Sequence, residues 1–167
     1  MNDTLPWPVS LDTPTGALLA IDPGTNESGW VILDADNRVA AAGIHTNHQL
    51  LTTVARWNGE LAIEMIASYG MPVGREVFET CLWVGRFIQA YPHSGLVRLV
   101  YRQDVKTHLC HSSSATDTNI RVALIDLIGP TGTKKNPGPT YGISKHMWAA
   151  LAVAATVREL QPEGITA

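Results

Sequence analysis

Between residues 17 and 44 three short apolar runs, 17–21 (ALLAI), 29–33 (GWVIL) and 39–44 (VAAAGI), follow one another with little chain between them. Parallel neighbours need a crossover of a dozen or more residues, whereas antiparallel ones are joined by tight turns. Asp34-Ala-Asp-Asn37 supplies turn chemistry before the third run. The segment therefore reads as a three-stranded antiparallel meander. After Ile44 the period changes. A helical stretch at 49–57 precedes an apolar run at 61–66 (LAIEMI) broken by one acid. Val77, Cys81, Val84 and Ile88 then recur at helical spacing, which predicts an amphipathic helix over 73–89 whose stripe faces the core or a dimer partner. A strand at 96–101, helices at 104–110 and 117–128 (Thr116 as N-cap), and an Ala-rich helix from a Ser144 cap to about residue 160 complete the order.

Strands that alternate with helices long enough to cross over predict a mixed sheet with helices on its faces, in one α/β domain. That domain takes in residues 17–160. An irregular arm at 1–16 precedes it and a tail at 161–167 follows it. A Gly/Pro-rich loop at 129–144, carrying Lys134, Lys135 and Tyr141, reads as structureless. A chain of 167 residues with 45% apolar and 16% charged side chains suits one folded domain. Its longest apolar run, 149–157 with Thr156 inside, falls far short of the roughly 18 to 20 residues of a membrane span. The start lacks the basic and apolar regions of a signal peptide. Cys81 and Cys110 form no C-x-x-C pair, so reduced thiols and a cytoplasmic setting are expected.

A net charge of −3 argues, on the mean, against a nucleic-acid partner. The charge is unevenly distributed, however. Residues 1–97 hold four basic and ten acidic side chains, net −6, and residues 98–167 hold eight and five, net +3. Between 98 and 145 there are seven basic and three acidic residues, among them Arg102, Lys106, Lys134, Lys135 and Lys145. Cations beside glycines suit close approach to a phosphate backbone, and Tyr141 can stack on an unpaired base.

Three residues stand out chemically. Asp22 ends the first strand before Pro23-Gly24, on the rim where open α/β sheets bind ligands; a plain turn aspartate would look the same. Glu64 interrupts an apolar strand, where a carboxylate is costly unless partnered. Two acids at the ends of neighbouring strands suit a divalent metal. His146 lies at the start of the last helix, where the helix dipole favours a neutral ring able to bind metal; a solvated histidine is the bland alternative.

The spacing of Ile21-Asp22-Pro-Gly-Thr-Asn-Glu-Ser-Gly-Trp-Val-Ile32, Ile63-Glu64, Val105-Lys106-Thr107 and His146 leading into Ala150-Leu-Ala-Val-Ala154 resembles the RuvC family of Holliday-junction resolvases, in a phage-type branch. The resemblance covers residues 18–157. It implies a ribonuclease H-like fold, a homodimer, branched DNA as partner, and hydrolysis with two Mg²⁺ ions (Mn²⁺ substituting) about 4 Å apart that stabilise attacking and leaving oxygens. It implies no nucleotide cofactor, and a phage- or prophage-encoded protein acting in the host cytoplasm. Asp22 matches the aspartate that bridges both metals, Glu64 the glutamate on the second, Lys106 the basic stretch near the scissile phosphate, and His146 the first position of the closing motif. Ala149 departs from the pattern, since the family has Asp there. Positions 146 and 149 share a helical face, so this chain offers one ligand where the family offers two. An introduced inactivating change, a branch that runs on Asp22, Glu64 and His146 alone, and a protein that binds junctions without cutting are the three accounts of it. An RNA-processing nuclease of the same superfamily would use the same acids. An actin-like sugar kinase would need a second such domain, for which the chain has no room.

Overall fold

The computed structural model describes residues 13–159, so most of the expected arm and the whole of the expected tail lie outside the described residues. Five strands, β1 (Leu18–Asp22), β2 (Glu27–Leu33), β3 (Val39–Thr46), β4 (Glu60–Met65) and β5 (Arg98–Tyr101), form one sheet in the order β3-β2-β1-β4-β5. The β1–β2 and β2–β3 pairs are antiparallel; β1–β4 and β4–β5 are parallel. The meander and the mixed sheet are both present. Helices α1 (Asn47–Val54), α2 (Arg75–Ala90), α3 (Arg102–Cys110), α4 (Asp117–Ile128) and α5 (His146–Glu159) cover its two faces.

Strand alternation sorts side chains between those faces. Leu19, Ile21, Leu61 and Ile63 point to a core closed by Leu50 and Val54 of α1 and Trp83, Val84 and Phe87 of α2. Leu18, Ala20 and Ala62 point the other way, onto a core built with Val105, Ile120, Leu124 and most of α5. Residues 150–157 are buried all round, which is why that helix reads as apolar on every side. The stripe expected on α2 is rotated by about one residue. Thr80, Trp83, Val84 and Phe87 are buried, while Val77, Cys81 and Ile88 sit at the edge. Bulky Trp83 and Phe87 fill the space under the sheet better than the smaller side chains beside them.

Two local expectations change. The 129–144 loop is irregular but tied down: Gly138 N–H donates to Thr131 O, Thr133 and Asn136 exchange backbone bonds, and buried Thr140 donates to Gly129 O. Also, α5 starts at His146, after a Lys145 held at φ 46°, a left-handed conformation that interrupts any continuous run from Ser144. Among the described residues no helix is long and apolar enough to cross a membrane.

Candidate active site

Asp22 keeps the parity of Leu18 and Ala20, and Glu64 that of Ala62, so both carboxylates emerge on the α5 side of the sheet. Parallel pairing of Ile21 with Ile63 brings them to the same rim, side by side. The first residue of α5 completes the group: His146 Nδ1 lies 3.0 Å from Asp22 Oδ2. Two features allow that approach. Gly29 pairs with Asp22 across β1–β2, and a Cβ there would lie 2.6 Å from the His146 carbonyl carbon. The turn after Asp22 is fixed by buried polar groups: Ser28 Oγ donates to Asn47 Oδ1 at 2.6 Å, and Asn47 Nδ2 donates to Gly24 O at 2.8 Å.

The carboxylates are 16% and 12% exposed, whereas the His146 side chain is 65% exposed. Burial is the main reason that Glu64 is pushed up to about 8, and the neighbouring Asp22 charge adds to it. Burial also raises Asp22, against the lowering effect of its bond to His146. Arg102, at the start of α3, opposes the Glu64 shift with Nη1 3.7 Å from Glu64 Oε1, and its Nη2 pairs with Asp117 Oδ1 of α4.

The raised Glu64 has a consequence for stability. The folded protein holds a proton that the unfolded chain releases above about pH 4.5. Without divalent ions, the contribution of Glu64 to stability should therefore be fully present below that pH and be lost as pH rises through 8, by on the order of a few kcal/mol. Melting curves in EDTA between pH 5 and 9 test this; Glu64→Gln should flatten the dependence, and an unchanged slope in that variant would assign it to other groups.

Two carboxylates and an imidazole are suitable donors for a divalent cation, and so basic a Glu64 is relieved by a nearby positive charge. Among the described residues, however, no three His, Cys, Asp or Glu side chains are arranged around one point. Ala149, half-buried one turn beyond His146, adds no donor.

The other expected site residues are spread more widely. Arg102 is at the acids. Among the described residues Lys106 is half-buried and makes no hydrogen bond or ion pair, and Lys145 is exposed beside His146. Lys134 and Lys135 are exposed on the loop. Tyr141 lines a cleft with Leu33, Ala155 and Arg158, about 14 Å along α5 from His146 at 1.5 Å per residue. Trp148 packs on the core edge with Arg121 4.9 Å over its ring. Gly29, Ser28 and Asn47 were not singled out in the sequence. Ser28, polar between two apolar runs, is the available signal, and Asn47 lies just past the meander at the start of α1.

No protein-family model and no curated protein matches the sequence. Solved structures do. RuvC of Thermus thermophilus superposes with a TM-score of 0.63 at 18% identity, over 84% of this chain and 92% of that one. The same protein in complex with a Holliday junction substrate gives 0.62 at 15% identity, over 84% and 91%. The chain thus has the RuvC fold, a ribonuclease H-like sheet with helices on both faces.

Proposed function

We propose that this chain is a divalent-metal-dependent endonuclease for four-way or otherwise branched DNA, working through Asp22, Glu64 and His146. The observation that carries the reading is the buried pair of carboxylates at the ends of adjacent parallel strands, with an imidazole 3.0 Å away, on a fold shared with a junction-bound protein. Mg²⁺ or Mn²⁺ held by the two carboxylates would neutralise the pair and acidify a bound water. With Asp22 ionised, His146 donates from Nδ1, which leaves the lone pair on Nε2. Lys106, Lys145, Lys134 and Lys135 supply phosphate contacts, so binding should weaken steeply with salt. Paired nicks on a two-fold symmetric junction need two sites, and the reading therefore includes a homodimer.

Ala149 sets the decisive experiment. Wild-type chain and Ala149→Asp are incubated with a labelled four-way junction in Mg²⁺ and in Mn²⁺. Slow symmetric nicking by the wild type, raised roughly tenfold or more by the added carboxylate, is expected. Tight binding with no cutting by either form would leave a junction-binding protein. Cutting confined to RNA-containing substrates would make it an RNA-processing nuclease.

A further inference from the structure

Arg102 is the one cation that the described structure places against the buried acids, and its surroundings are unusual. It opens α3 directly after β5, whose Val100 pairs with Glu64 of β4, so its side chain starts two residues beyond the partner of Glu64. Its Nη2 is bonded to Asp117, the first residue of α4. Its Nη1 is buried, reaches no hydrogen-bond acceptor among the described residues, and stops 3.7 Å short of Glu64 Oε1. A guanidinium is a rigid fork that can serve two carboxylates at once, which a lysine ammonium does far less well. Here one prong is bonded and the other is held back.

We propose that Arg102 is a positioning residue that stands in for a divalent cation at Glu64, and that Asp117 restrains it from closing fully on that carboxylate. This rests on the metal-dependent reading above. Glu64 and Asp117 flank the guanidinium and Asp22 lies beside Glu64, so once Glu64 is ionised the three acids outnumber the one guanidinium and keep negative charge to attract an ion. An arriving ion competes with Arg102 for Glu64. The pull of Asp117 weakens that competition and keeps the site open to metal. Once Glu64 is taken up by an ion, the unsatisfied Nη1 is left free to donate to a phosphate oxygen.

The test is Mg²⁺ binding to DNA-free protein, measured by calorimetry at a pH above the Glu64 value so that charge and not proton release is read. Arg102→Gln should tighten Mg²⁺ roughly tenfold by removing a cation beside the ion. Arg102→Lys should stay within about threefold of wild type, because the charge remains. Asp117→Asn should weaken binding severalfold, and it should lose most of that effect in the Arg102→Gln background, since it acts through the guanidinium. A merely structural Arg102 would weaken Mg²⁺ when removed, and a residue that only contacts DNA would leave Mg²⁺ binding unmoved; either result overturns the proposal. If the wild type shows no Mg²⁺ binding that depends on Asp22, the metal reading itself fails. If it binds through Asp22 and Arg102→Gln does not tighten it, only the role of Arg102 fails. Should Arg102→Gln fold poorly, the Asp117→Asn shift, measured alone and in Arg102→Lys, decides the question.

Discussion

Asp22→Asn is expected to reduce junction cutting by on the order of a thousandfold or more while leaving junction affinity unchanged or raised. Asparagine keeps the shape and an acceptor oxygen for His146 Nδ1, so the 3.0 Å contact and the strand rim should survive. The shared negative charge is lost. Without it Glu64 titrates lower, because the Asp22 charge is the second largest contribution to its upward shift, and a divalent ion bound as proposed would lose one of its two buried anionic ligands. On the proposed reading, affinity for DNA would rest on cations elsewhere and gain from removing an acid that faces phosphates. Gel assays of nicking, with binding measured in the same buffer, check both halves. Cutting within tenfold of wild type would remove Asp22 from the chemistry.

A second large effect is expected at a residue with no reactive group. In Gly29→Ala the new methyl would meet the backbone carbon and oxygen of His146, both at 2.6 Å, and neither can move without lifting the start of α5 from the sheet. Overpacking of this kind costs about 1–3 kcal/mol, which for a domain of this size lowers the melting temperature by roughly 2–12 °C. Cutting should fall further than stability alone explains, since His146 is the residue displaced. A variant with wild-type melting and wild-type cutting would show that α5 can give way at its first turn without consequence.

Asp22 and Glu64 are readable at the ends of adjacent strands because strand periodicity and a break in apolar runs are local signals. So is Thr116, whose hydroxyl accepts from Asn119 N–H where α4 begins. The supports are harder to read. Ser28 and Asn47 lie 19 residues apart, and their bond exists only once β2 has paired with β3 and brought the start of α1 beside it. In sequence Gly29 is merely a poor strand residue, and its use appears only when a helix from the other end of the chain arrives against it. The start of α5 eludes cap rules because Lys145 adopts a left-handed backbone that its side chain does not advertise. Tyr141 stands out in sequence as an aromatic in a basic loop, and only the course of that loop places it in a cleft with Leu33 and Ala155.

The bond between His146 and Asp22 joins residues 124 apart in sequence. Such a contact closes nearly the largest loop available within the fold, and it forms only when α5 docks across β1 and β2. In whatever order the other elements fold, the imidazole cannot reach the carboxylates before that step. A chain with its meander complete and its last helix still free would present two acids and no histidine. The protein would thus acquire its full set of reactive groups in the one step that docks α5, and any opening that releases α5 would take the set apart again.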